Sequence, residues 1–175
     1  MLIDLRSALH RPCSFGFSLK SDWWGEEDES GQILGLDGPL TVHILVSKVR
    51  NGYILEGELH GGVLLRCGRC IEAYHADLAS EFRLFLTQVP AETSTEEVEL
   101  REDDMWVDFV SGDKVDIDNI IRGQIYLALP MKALCSEDCA GLCPECGCNL
   151  NLEECSCIRE KGHPGFLKLK ELKID

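Results

Sequence analysis

Hydrophobic and polar positions alternate most cleanly in the second quarter of the chain. Leu40-Thr-Val-His-Ile-Leu-Val-Ser-Lys-Val-Arg50 is rich in β-branched residues and reads as a strand. Asn51-Gly52 follows and predicts a type I′ hairpin turn, whose two central positions need φ > 0. Tyr53–His60 is then the return strand, Gly61-Gly62 a second turn and Val63–Arg66 a third strand, which together make a β-meander. Residues 71–86 fit two periods. Tyr74, Ala76, Leu78, Phe82, Leu84 and Leu86 follow period two, whereas Ile71, Tyr74, Leu78, Phe82 and Phe85 follow period 3.6. A strand is preferred, because the segment follows a meander and closes on Phe-Arg-Leu-Phe-Leu. Residues 90–104, acidic with Ser and Thr, read as a loop, and Met105–Val110 as a short strand.

The period changes near residue 118. Ile120, Ile121, Gln124, Ile125, Ala128 and Leu129 lie at helical spacing, Asp116 and Asp118 are N-cap candidates, and Pro130 stops the run. This predicts a helix over 118–129 with a core stripe of isoleucines. Residues 1–38 show no clear period; Trp23-Trp24 ahead of a run of acids reads as a loop with an aromatic anchor. The tail Pro164–Lys173 reads as a short amphipathic helix with a lysine face. The expected fold class is α+β: an antiparallel β-meander core with one main helix and a small C-terminal cysteine-rich metal module. A boundary near residue 130 divides a core of 1–130 from a module of 131–175.

With 175 residues, 45% of them hydrophobic, the chain suits one domain with a small appendage. No apolar run reaches membrane-spanning length. Met1-Leu-Ile-Asp-Leu-Arg lacks a basic n-region and a signal-length apolar stretch, so the expectation is a reducing cytoplasm. Ten cysteines there read as metal ligands or redox centres rather than disulfides. The net charge of −14 is concentrated: residues 22–29 carry −5 and residues 91–118 carry −9. The remainder is neutral overall, which leaves room for a locally basic face toward nucleic acid.

The strongest chemical signal is Cys143-Pro-Glu-Cys-Gly147. A Cys-x-x-Cys turn presents two thiolates to one ion, and Gly147 supplies the positive φ needed after the second ligand. Zinc takes four ligands in a tetrahedron, so a second pair is required. Cys135 and Cys139 precede the knuckle, and Cys155 and Cys157 follow it. The local quartet Cys135, Cys139, Cys143 and Cys146 is favoured for its short loops. The quartet Cys143, Cys146, Cys155 and Cys157 is the alternative, with Cys148 a spare and His163 a weaker one. A second knuckle, Cys67-Gly-Arg-Cys70, completes a split site, binds its own ion or acts as a redox dithiol. A redox- or metal-responsive cysteine protein is therefore the competing reading, and a Cys-Pro-x-Cys-Gly turn also suits iron or an Fe–S cluster. Arg66 and Arg69 flank the ligands of this knuckle and offset the −2 charge of a Zn(Cys)4 centre. With Lys168 and Lys170 of the tail they are the candidates for contact with nucleic acid. No catalytic set stands out: the five histidines are scattered and no phosphate-binding glycine loop is present. The chain reads as a non-enzyme without a small-molecule substrate.

Leu129-Pro-Met-Lys-Ala-Leu-Cys-Ser-Glu-Asp-Cys-Ala-Gly-Leu-Cys-Pro-Glu-Cys-Gly-Cys-Asn-Leu-Asn151 closely resembles the signature of the YceD family of bacteria and plastids. Cys67–Cys70 and the closing Pro164-Gly-Phe-Leu-Lys-Leu-Lys-Glu-Leu are similar to the same family, so the likeness spans roughly residues 40–173. The resemblance implies a metal-binding protein needed for accumulation of large-subunit (23S) ribosomal RNA. Ribosome biogenesis is then the expected role, through contact with ribosomal RNA or an assembly protein.

Overall fold

In the computed structural model, residues 1–25, 31–50, 52–88, 107–110 and 112–157 are described. The strands are β1 (Leu2–Asp4), β2 (Cys13–Leu19), β3 (Ile33–Leu36), β4 (Leu40–Val49), β5 (Gly52–Arg66), β6 (Ala73–Gln88), β7 (Val107–Val110) and β8 (Lys114–Asp116); the helix is α1 (Ile117–Ala128). The main sheet has the order β2-β4-β5-β6-β7, with β3 pairing β5 beyond the end of β4. Every pairing in it is antiparallel except β6–β7. β1 and β8 form a separate two-stranded ribbon. The α+β expectation holds: among the described residues the fold is mostly antiparallel sheet with one α-helix and a C-terminal cysteine cluster.

Gly61-Gly62 is not a turn. β5 runs straight through both, 15 residues long, which at ~3.4 Å per residue is about 50 Å. Neither glycine takes a positive φ. Their role is close approach. β3 and β4 share β5 as partner, and the link between them crosses it at this point: the Asp37 N–H donates to the Gly62 carbonyl at 2.8 Å. A Cβ on Gly61 would lie 2.9 Å from Leu40 Cδ1 and 3.3 Å from the Pro39 carbonyl. The first turn also sits one residue earlier than its sequence signal. Val49 pairs with Gly52, so Gly52 already belongs to β5. Glycine is required there because a Cβ would collide with the Leu86 carbonyl of β6. Asn51 and residues 90–104 lie outside the described residues, as does the start of the strand expected from Met105.

Residues 71–86 resolve to period two: β6 pairs with β5 from Tyr53–Leu86 to Arg66–Ala73. Alternation puts Leu40, Val42, Ile44 and Val46 of β4 on the same buried face as Leu55, Leu59, Val63 and Leu65 of β5. Each such side chain contributes about 1.5–3 kcal/mol when removed from water. The other face is polar and exposed at Thr41, His43, Glu56, Glu58 and His60. α1 contributes Ile117, Ile121 and Ile125, buried at one-turn spacing, to the core. It starts where the Asp116 carboxylate accepts from the Asp118 N–H at 3.1 Å. It ends at Leu129, which the following Pro130 holds extended at ψ 144°. Trp23 and Trp24 do anchor their loop. Trp23 Nε1 donates to Asp118 at 2.8 Å, Arg122 stacks 4.8 Å from the Trp23 ring, and Trp24 is buried against Tyr126.

Candidate metal centre

The tip of the β5–β6 hairpin is the loop Cys67–Glu72. It folds as a knuckle: the Cys67 N–H donates to the Glu72 carbonyl at 2.9 Å and the Ile71 N–H to the Cys67 carbonyl at 3.0 Å. Cys143–Cys148 repeats the pattern, from the Cys143 N–H to the Cys148 carbonyl at 2.8 Å and from the Gly147 N–H to the Cys143 carbonyl at 2.9 Å. Gly147 has φ 76°, the left-handed conformation its position predicts. The matching residue of the first knuckle is Ile71, at φ 66°. A β-branched residue there costs about 1–2 kcal/mol and persists only where flanking structure over-determines it.

The structure gathers eight cysteines into two groups of four, either of which could hold a metal ion. The first is Cys67, Cys70, Cys135 and Cys139; the second is Cys143, Cys146, Cys155 and Cys157. The local quartet favoured from sequence is thus divided: its first pair joins the distant knuckle and its second pair joins Cys155 and Cys157. The physical reason is the fold of the hairpin. It delivers Cys67 and Cys70 to the chain leaving α1, where the Gly68 N–H donates to the Ala133 carbonyl at 2.8 Å. The first group draws its cysteines from both sides of residue 130.

Sulfur spacing fits tetrahedral coordination. Metal–sulfur bonds near 2.3 Å make a tetrahedron with edges of about 3.8 Å. Cys67 and Cys139 sulfurs are 3.8 Å apart and those of Cys70 and Cys135 3.6 Å. In the second group Cys146–Cys155 is 3.6 Å and Cys143–Cys155 3.4 Å. All ten cysteines are free thiols. Cys148 adjoins the second group: interaction with the Cys146 thiol, burial and the Cys155 thiol push its pKa up to about 12. Cys13 lies elsewhere, on β2, with its thiol donating to the Ser7 carbonyl at 2.9 Å.

The electrostatics favour a cation. Burial opposes ionisation of Cys67, yet the N–H groups of Cys70, Arg69 and Cys135 hold its pKa down to about 6. Cys143 is likewise lowered to about 6 by the N–H groups of Cys146 and Glu145 and by the Cys155 thiol. Their neighbours move the other way. Hydrogen bonds to Cys139 and Cys70 push Cys135 up to about 12, and those to Cys155 and Cys146 push Cys157 to about 12. Charge on one sulfur disfavours charge on the next, and a dication removes that conflict.

Two supporting residues escaped the sequence reading in whole or part. Asn151 donates from Nδ2 to Cys139 Sγ at 3.4 Å and accepts from the Ala140 N–H at 2.7 Å, tying the segment after the Cys143–Cys148 knuckle to the first group. Its signal is a short amide three residues after Cys148, the last cysteine of the Cys143–Cys148 knuckle. Arg69 donates from Nη1 to the carbonyls of Cys139 at 2.9 Å and Glu137 at 3.2 Å, so it braces the first group. Arg66 is exposed at the mouth of a groove beside that group. Lys168, Lys170, the amphipathic tail and His163 lie outside the described residues.

A family model described as large ribosomal RNA subunit accumulation protein YceD matches residues 55–173, more than half of the chain. The chain belongs to the YceD family. A similar YceD relative is the chloroplastic large ribosomal RNA subunit accumulation protein YCED homolog 1 of Arabidopsis thaliana, 30% identical over 77% of this chain and 49% of that protein. The homolog of the same name in Zea mays is 32% identical over 75% of this chain and 53% of that protein. The chain thus spans about half the length of these plant YceD proteins. An uncharacterized protein of Mycobacterium bovis is 26% identical over 98% of this chain and 74% of its own length. No solved structure matches the chain. Among the described residues, no helix is long and apolar enough to cross a membrane.

Proposed function

We propose that the chain is a non-enzymatic factor supporting accumulation of large-subunit ribosomal RNA, with one structural zinc ion in each four-cysteine group. The observation that carries the metal assignment is the pair of four-sulfur groups, each with all its sulfurs within 4.8 Å of one another and two of its sulfur–sulfur distances at 3.4–3.8 Å, against the about 3.8 Å that zinc requires. The role rests on membership of a family whose model is named for large ribosomal RNA subunit accumulation. Four sulfurs per ion leave no open position for substrate or water, which favours a structural rather than a catalytic metal. Cys67 and Cys70 are 1% and 3% exposed, which argues against a dithiol that trades electrons with a partner. The site of action is the cytoplasm, and the partner is ribosomal RNA or a protein that assembles on it.

Zinc and iron take the same sulfur tetrahedron, but the zinc protein is colourless and the iron protein coloured. Depletion of the chain, followed by quantitation of large-subunit ribosomal RNA and of subunit profiles, tests the role. The reading expects a fall in that RNA, and unchanged levels with normal subunits would end it.

A further inference from the structure

A groove of 710 Å³ lies beside the first cysteine group, between the tip of the β5–β6 hairpin and the chain leaving α1. Its charged lining is of one sign: Arg66, Arg69 and Lys132 line it, and no described acid does. That is unusual in a chain of net charge −14. Glu72, next to Ile71, and Glu137, three residues past Leu134, do not line it; Glu29, two residues before Gly31, lies outside the described residues. Arg69 spends one guanidinium nitrogen on two carbonyls, whereas the side chains of Arg66 and Lys132 are exposed. Gly31, at φ 63°, leaves room around Arg66: a Cβ there would lie 3.8 Å from its Nη1. Two apolar side chains stand in solvent on the lining, Ile71 at 56% exposure and Met131 at 104%.

Cations converging on a concave wall suit phosphodiesters. Exposed apolar side chains beside them suit the face of an unstacked base, which a duplex would keep hidden. We infer that this groove binds single-stranded RNA, with Arg66 and Lys132 on backbone phosphates and Ile71 and Met131 against a base. The inference rests on the reading of the chain as a factor for ribosomal RNA, and it names the surface that makes the contact. The first cysteine group then has a second consequence. It fixes Arg66 and Lys132, from segments 66 residues apart in sequence, on facing walls of one groove.

The test is fluorescence anisotropy of the full metal-loaded chain with a labelled 12-nucleotide poly(U) RNA. Two phosphate contacts on a single strand predict that affinity falls about 25-fold across a tenfold rise in salt. Arg66→Glu/Lys132→Glu is expected to weaken binding at low salt by at least about tenfold, and Arg66→Gln/Lys132→Gln by less. Arg11→Glu, two residues before β2 and outside the groove lining, is expected to bind as the wild type does. Metal content and melting temperature report that each variant is folded. Absence of RNA binding by the wild type, equal binding by Arg66→Glu/Lys132→Glu, or an equal loss in Arg11→Glu overturns the inference. Loss of ribosomal RNA accumulation in cells carrying Arg66→Glu/Lys132→Glu, without RNA binding by the wild type in vitro, also overturns it and assigns the groove to a protein. Normal accumulation with that variant, where depletion of the chain lowers it, refutes the groove and leaves the family role standing. Normal accumulation on depletion refutes the role itself.

Discussion

The two cysteine groups close loops of very different size, and their removal should be felt differently. In the first group the closest pair across segments is Cys70–Cys135, 65 residues apart. In the second it is Cys146–Cys155, 9 residues apart. Treating each bound ion as a cross-link, loop-closure entropy gives about 4 kcal/mol for the first and about 3 kcal/mol for the second. The difference is sharpened by what each loop contains. The first encloses β6, β7, β8 and α1, so opening it loosens the sheet and its covering helix. The second encloses no strand or helix of the described fold, so opening it frees only its own segment. Cys70→Ser/Cys135→Ser should therefore lower the melting temperature of the sheet by about 8–16 °C, at about 2–4 °C per kcal/mol for a chain of this size. Cys146→Ser/Cys155→Ser should leave that transition within a few degrees of wild type. The assay is circular dichroism of the β-sheet band during heating, at fixed zinc. Equal shifts in the two variants, or a larger shift in the second, would refute the cross-link reasoning.

Glycine positions give opposite expectations. Gly123 is exposed within α1 with open space around its missing Cβ, so Gly123→Ala should stabilise by about 0.5–1 kcal/mol in denaturant titration. Gly52→Ala should destabilise by about 1–3 kcal/mol or more, because its methyl group meets the Leu86 carbonyl. Gly147→Ala meets nothing within 4 Å, so its cost is conformational alone, about 1 kcal/mol, and should appear as faster zinc loss to a chelator. The metal-free protein should also respond to pH. Cys67 and Cys143 have folded pKa values of about 6 against an ordinary 9.0. A depressed acid stabilises the fold fully above pH 9 and loses that contribution as pH falls through 6. The unfolding midpoint of chelated protein should thus decline from pH 9 to 6 and level off below, and Cys67→Ser should flatten the profile.

The elements were legible where one physical signal dominated. The β-branched run of β4, the isoleucine stripe with its Asp116 cap, and the Gly147 turn each follow from local chemistry, and each is found. The errors share a cause. Gly61-Gly62 and Gly52 were read as turn formers, whereas each serves a close approach by chain distant in sequence, to Leu40 and to Leu86 respectively. Period and propensity describe a segment by itself, and neither registers a neighbouring backbone. The division of the cysteines follows the same logic. Short loops favour joining Cys135 and Cys139 to Cys143 and Cys146. The hairpin overrides that preference, because forming β5–β6 already places Cys67 and Cys70 beside the end of α1. Once the sheet is formed, little closure entropy remains to be lost in completing the distant site.

Zinc counted per chain in the purified protein, by elemental analysis, bears most directly on two separate four-cysteine sites. Two ions are expected in the wild type, falling to one in Cys67→Ser/Cys70→Ser and to one in Cys143→Ser/Cys146→Ser. A single ion in the wild type, or two ions retained in either variant, would contradict it.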